Sequence, residues 1–285
     1  MNSWFIPIQW CMVFVLIVSP IGCARVNSGN GVSTALFQGE QLFNEGRINE
    51  AEKIFSEALR ENSHQPEILN ARGYVYARRG DWARAIKDFE QSVRLAPQNH
   101  QYTDNLGIAN LQAGFPERAL RNFSQILEHV PDSPQTLNHR GLAFSRLGRY
   151  QEAIRDYSKA LQLDNHQSEI YLNRAVDYVK TGLVNEARRD LDEAIHLNRS
   201  LPQAYENRGL LALGNGEIQL AIQDFTTAIR LGADGGLVHY NRAVALSMAG
   251  DLVNAAQEYQ LACERNVLQS CSKAIHSTTA VQQLL

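Results

Sequence analysis

Small, bulky and polar residues return along this chain at a constant interval of 34 residues counted from Val32. Seven units follow without insertion: 32–65, 66–99, 100–133, 134–167, 168–201, 202–235 and 236–269. The fifteenth position of each is glycine (Gly46, Gly80, Gly114, Gly148, Gly182, Gly216, Gly250) and the twentieth is alanine (Ala51, Ala85, Ala119, Ala153, Ala187, Ala221, Ala255). At a glycine frequency of about 7%, chance fills all seven fifteenth positions with a probability on the order of one in a hundred million, so the period is structural. A stretch of about 14 residues before each glycine reads as one helix, the glycine as its left-handed stop, and the following residues as a second helix. Position 8 is small (Gly39, Gly73, Gly107, Gly141, Ala175, Gly209, Ala243), which predicts close approach of the first helix to the position 20 alanine of the second. Position 24 is bulky (Phe55, Phe89, Phe123, Tyr157, Leu191, Phe225, Tyr259) and fills the adjoining space. Pro97 and Pro131, at position 32, end the second helix. One hairpin cannot bury its apolar faces alone, so neighbouring hairpins are expected to stack into an all-α solenoid.

Charged residues obey the same period. Position 7 holds Arg72, Arg140, Arg174, Arg208 and Arg242, and position 23 of the same five units holds Asp88, Asp156, Asp190, Asp224 and Glu258. The two units without the arginine (Gln38, Leu106) have Ile54 and Asn122 at position 23. Matching each acid to the next unit's position 7 works less well, since Asp88 would face Leu106. The expectation is a guanidinium–carboxylate pair inside each unit, partly exposed and contributing about 0–1 kcal/mol apiece. A stripe for acidic ligands is the weaker reading.

The pattern of a small residue at 8, glycine at 15, alanine at 20, aromatic at 24 and alanine at 27 (Ala58, Ala160, Ala194, Ala228, Ala262) resembles the tetratricopeptide repeat, and the resemblance covers 32–269. Position 4, often tryptophan in that family, is here Ala35, Leu69, Thr103, Leu137, Tyr171, Tyr205 and His239. The resemblance implies a right-handed superhelix of seven repeats whose first helices line a concave groove, with 270–285 as a capping helix. It also implies that positions 2, 5, 6, 9, 12 and 13 face that groove. Position 6 is Asn105, His139, Asn173, Asn207 and Asn241, after Phe37 and Ala71; such an asparagine ladder is suited to hydrogen-bonding an extended peptide. Position 9 is Tyr74, Ile108, Leu142, Val176, Leu210 and Val244 in units two to seven, an apolar strip beside the amides. Adaptors of this family that clamp a C-terminal carboxylate use lysine or arginine at positions 2, 5 and 6, and here those positions hold neither. The implied partners are therefore other proteins, bound through peptide segments and not by a carboxylate clamp. A structural assembly subunit working through its convex face or by self-association is the competing reading.

Outside the repeats, residues 1–24 carry no charged side chain, and Cys11 to Val18 is a continuous apolar run. That length suits a signal-peptide core, while the wider stretch from Trp4 to Gly22 suffices for an uncleaved anchor. Pro20-Ile21-Gly22-Cys23 resembles the bacterial lipobox, which makes Cys23 the candidate for lipidation, with cleavage after Ala24 as the alternative. Residues 1–23 thus read as signal peptide or membrane anchor and 24–31 as a flexible polar tether. The organisation resembles the tetratricopeptide lipoproteins of the bacterial envelope, which implies export, membrane association and a periplasm-facing placement. A cytosolic adaptor remains the alternative if the leader is neither cleaved nor inserted.

The 285 residues are 44% apolar and 20% charged, and 30 acids against 27 bases give a net charge of −3. No long basic run offers a track for phosphates, so nucleic acid is not an expected partner. Four cysteines exclude a disulfide-dense scaffold and lack Cys-x-x-Cys zinc spacing, so no metal is expected. Cys263 and Cys271 resemble the Cys-x7-Cys bridges of exported relatives with a different repeat length, which implies a disulfide if the chain is exported. No His-Glu-x-x-His, Gly-x-Ser-x-Gly or phosphate-loop motif occurs; the expectation is a non-enzyme without cofactor.

Overall fold

A computed structural model describes residues 31–274. The leader with Cys23, the tether up to residue 30 and the end of the proposed cap lie outside these residues; Gly31, assigned to the tether by its sequence, opens the first helix. Every regular element among the described residues is helical. The helices pair as α1 Gly31–Asn44 with α2 Ile48–Glu61, α3 Pro66–Arg78 with α4 Trp82–Leu95, α5 His100–Gln112 with α6 Pro116–His129, and α7 Pro134–Arg146 with α8 Tyr150–Leu163. They continue as α9 Ser168–Lys180 with α10 Val184–Leu197, α11 Pro202–Gly214 with α12 Ile218–Arg230, and α13 Gly236–Met248 with α14 Leu252–Glu264. The described chain forms two compact units, one containing α1 to α8 and the other α9 to α14 with a last helical stretch at 268–274. Each unit is an all-α solenoid of stacked hairpins.

The glycine row sets the turns. All seven fifteenth-position glycines have φ between 73° and 83°, a left-handed conformation that a Cβ penalises. Around Gly80 the Asp81 amide donates to the Tyr76 carbonyl at 2.9 Å and the Gly80 amide to the Ala77 carbonyl at 2.9 Å, so the last carbonyls of α3 are satisfied while the chain reverses. Proline opens α3, α6, α7 and α11, where its missing N–H is no loss.

Within each hairpin the small residue at position 8 lies directly against the bulky residue at position 24, not simply opposite the position 20 alanine. A methyl added at Gly107 would lie 2.5 Å from Phe123 Cε1, and the corresponding approach is 2.6 Å for Gly73 to Phe89 and 2.9 Å for Gly209 to Phe225. The position 20 alanines are all completely buried in the same interior. Where the ring is replaced by Leu191, its partner is Ala175, so side-chain volume is exchanged between the two positions.

The first helices of neighbouring hairpins pack against each other (α1 on α3, α5 on α7, α9 on α11, α11 on α13), whereas neighbouring second helices make no comparable contact. Within each unit the first-helix side is therefore the inner side of the stack. Closing the second unit, Ala274 is buried with Tyr240, Ala243, Ala255, Tyr259 and Ala262, and Lys273 Nζ donates to Tyr240 Oη at 2.7 Å. Cys263 and Cys271 are joined by a disulfide with Cα atoms 4.8 Å apart, fastening the last helical stretch to the end of α14.

Candidate functional site

The arginine row is structural. Arg72 donates from Nε and Nη2 to Asp88 at 2.7 and 3.0 Å, and Arg140 to Asp156, Arg174 to Asp190 and Arg208 to Asp224 repeat this two-pronged bond at 2.7 to 2.9 Å. Arg242 bonds Glu258 through Nη2 alone, the other carboxylate oxygen being taken by His239. These pairs join the two helices of each hairpin as the paired substitution pattern predicts. They are less exposed than expected: the Asp224 side chain is 2% exposed and that of Asp88 5%. Burial pushes the Asp190 carboxyl up, against the pull of the Arg174 guanidinium. A third nitrogen reaches the preceding repeat at position 25, with Arg72 Nη1 at 3.3 Å from Ser56 Oγ and Arg208 Nη1 at 2.7 Å from Asp192 Oδ1. Arg72, Arg208 and, at 3.4 Å from Thr226 Oγ1, Arg242 thus tie hairpins to each other as well as helices within a hairpin, and no acidic-ligand stripe is left for the row to form.

A second periodic contact runs along the inner side. Position 6 of one repeat meets position 5 of the repeat before it, 35 residues earlier. Asn105 Nδ2 donates to Asn70 Oδ1 at 2.8 Å, while its Oδ1 accepts from Tyr74 Oη at 2.6 Å. Burial pushes the Tyr74 phenol up to about 12, keeping it a donor. His139 Nδ1 meets Asp104 Oδ1 at 2.9 Å in the same register. In the first unit, then, the expected ladder of free groups at Asn105 and His139 is replaced by bonds inside the protein.

In the second unit the same register is unfilled at Asn207 and Asn241. Asn207 falls opposite Leu172, which has no polar atom; Asn207 is 2% exposed and its Nδ2 lacks any hydrogen-bond partner. Asn241 falls opposite Glu206, and no hydrogen bond joins them. Glu206 is half-buried and without a partner among the described residues, and desolvation raises its carboxyl above the ordinary range. Asn173 is 5% exposed. The position 9 strip divides likewise: Leu142 and Val176 are buried at 5% and 2% and belong to the core, whereas Tyr74, Ile108, Leu210 and Val244 are half-buried at the surface. The expectation that all six line a groove is corrected for Leu142 and Val176.

Sequence reasoning overlooked two features. His239 is buried, with Nδ1 2.8 Å from Glu258 Oε2 and Nε2 3.4 Å from Asp234 Oδ1; the only signal was histidine at position 4 together with the one glutamate at position 23. Glu40 occupies position 9 of the first repeat, where later repeats are apolar, and one of its oxygens is buried without a partner. Among the described residues no group of three or more His, Cys, Asp or Glu is arranged to hold a metal ion. No described helix is long and apolar enough to cross a membrane.

Models of the tetratricopeptide repeat match residues 38–100, 134–166, 172–235 and 206–266, more than half of the chain. The chain is a tetratricopeptide repeat protein. Among solved structures, this repeat protein is similar to a tetratricopeptide repeat protein from Parabacteroides merdae, with a TM-score of 0.70 and 19% identity over 88% of this chain and 100% of the other. It is also similar to PilF of Pseudomonas aeruginosa, with a TM-score of 0.65 and 18% identity over 73% of this chain and 95% of that one. At such identities the likeness concerns the fold alone. A 60-residue stretch is 40% identical to cellulose synthase operon protein C of Komagataeibacter sucrofermentans, spanning 21% of this chain and 4% of that protein's length. The stacked tetratricopeptide hairpins make the protein a scaffold for protein–protein interaction.

Proposed function

We propose that this tetratricopeptide repeat protein is a non-enzymatic, exported and membrane-associated scaffold that holds an extended peptide segment of a partner protein against the inner side of its second unit. The observation that carries the reading is a contrast along the position 6 row: Asn105 and His139 are consumed by intramolecular bonds, whereas Asn207 keeps an amide nitrogen without an acceptor beside half-buried Leu210 and Val244. An unfilled buried donor costs about 1–3 kcal/mol, which an incoming peptide carbonyl relieves once the amide turns toward it. Lysine and arginine are absent from positions 2, 5 and 6, so the bound segment is internal or extended and not a clamped C-terminal carboxylate.

The test uses a degenerate mixture of capped peptides of about nine residues, long enough at about 3.4 Å per residue to cross three helices packed 8–10 Å apart. Immobilised full-length protein is expected to retain peptides from this mixture, and replacement of Asn173, Asn207 and Asn241 together by alanine to abolish retention while the helical circular dichroism persists. Equal retention by the folded triple variant rejects the reading in favour of convex-face or self-association assembly. Export and anchoring rest on the uncharged leader and Cys23. A mass measurement of the mature N-terminus separates a diacylglyceryl Cys23, a free Arg25 and an intact Met1.

A further inference from the structure

The inner side of the second unit has a charge pattern that the amide ladder does not account for. Positions 2, 5, 6 and 9 of α9, α11 and α13 contain two carboxylates, Glu169 and Glu206, and no lysine or arginine; Lys180 stands at position 13 of α9, and Lys273 bonds Tyr240 at position 5 of α13. Position 5 elsewhere is satisfied by its neighbour, Asn70 by Asn105 and Asp104 by His139. Among the described residues Glu206 has neither a hydrogen-bond donor nor a cation as partner, although it is half-buried. Leaving a carboxylate partly desolvated and unpaired is costly, and such costs persist where a ligand removes them. Asn207, next to it on α11, is 2% exposed and keeps an unpartnered nitrogen, so two consecutive residues on one helix are both incomplete as acceptor and donor.

We infer that Glu206 is a specificity residue of the peptide site, receiving the ammonium or guanidinium of a lysine or arginine side chain in the bound segment, while Asn207 and Asn241 engage its backbone. This rests on the peptide-holding reading of the second unit and names what that site selects. A cation suits the position for three reasons. The carboxylate offers acceptor lone pairs only, the surrounding amides are neutral, and no resident cation on these positions competes for it. The raised carboxyl of Glu206, caused by desolvation, returns toward the ordinary range once a cation sits beside it.

The experiment uses the capped peptide mixture with its central residue fixed as lysine, norleucine or glutamate, captured on the full chain and quantified by mass spectrometry. Lysine-centred peptides are expected to be retained about tenfold or more over norleucine-centred ones, with glutamate-centred ones lowest. In Glu206→Gln the lysine preference over norleucine falls to about parity, and in Glu206→Arg the order inverts toward glutamate. Circular dichroism confirms that both variants are folded. Retention by the wild type without lysine preference, or a preference that survives Glu206→Gln, overturns the role of Glu206 and leaves the peptide-holding reading standing. No retention of any peptide by wild type overturns both.

Discussion

Gly107→Ala tests the hairpin interior where its geometry is most demanding. The new methyl would lie 2.5 Å from Phe123 Cε1, 2.7 Å from Cζ and 3.0 Å from Cδ1, and Phe123 is completely buried, so the ring has no space to retreat into. Overpacking of this kind costs about 1–3 kcal/mol, outweighing the about 0.5–1 kcal/mol that alanine gains over glycine inside a helix. The chain contains its own compensated pair, Ala175 with Leu191, in which an aliphatic side chain replaces the ring and a methyl is accommodated. Unit seven combines Ala243 with Tyr259, whose ring packs on Tyr240 with centroids 5.8 Å apart. In a Phe123→Leu background, Gly107→Ala should therefore become neutral or stabilising. The helix-propensity gain is common to both backgrounds and cancels, so the coupling between the substitutions is the overpacking cost, about 1–3 kcal/mol. Equilibrium denaturation of the four proteins of the cycle, followed with hydrogen exchange in α5 and α6, measures it. Coupling below about 0.5 kcal/mol would refute the claim that volume is exchanged between positions 8 and 24.

Other consequences are open to direct measurement. Gly148→Ala, at φ 73° with no atom within 4 Å of the added methyl, should destabilise by about 1–2 kcal/mol through backbone strain alone, so Gly148→Asn should cost less in the same denaturation assay. Reducing the Cys263–Cys271 bond should accelerate hydrogen exchange in 268–274 by an amount corresponding to about 2–3 kcal/mol and leave α9 to α12 unchanged; exchange unaltered in that stretch would contradict its role as a staple. Glu206 has a folded carboxyl pKa above its unfolded value, so its favourable contribution is present at acid pH and is lost as pH rises through the folded value. Glu206→Gln should consequently raise the unfolding midpoint at pH 7, with the gain shrinking as pH falls through the carboxylate range; a gain independent of pH would exclude desolvation as its origin. Asp224→Ala should destabilise more than Asp192→Ala, because the Asp224 side chain is 2% exposed and holds two nitrogens of Arg208, while that of Asp192 is 52% exposed and holds one.

The helix–glycine–helix hairpin, the left-handed glycines and the arginine–carboxylate pairs were readable before any coordinates, because each arises inside a single 34-residue unit that is copied seven times. Repetition turns one sequence into seven parallel observations, so the loss of Arg at position 7 together with Asp at position 23 identifies a contact across one hairpin. Contacts between hairpins were not readable in that way. Whether Asn105 or Asn207 is free depends on what stands 35 residues earlier in the adjacent hairpin, Asn70 in one case and Leu172 in the other, and that register is set by how the hairpins stack. The same holds for Leu142 and Val176, assigned to a surface strip by position yet taken into the core, and for His239, closed between Glu258 and a loop aspartate. The amino-acid order determined the repeating unit, since its interactions are local and its backbone requirements are steric. Only the tertiary structure decided which polar groups remain unfilled, because burial and partnership are properties of neighbouring surfaces.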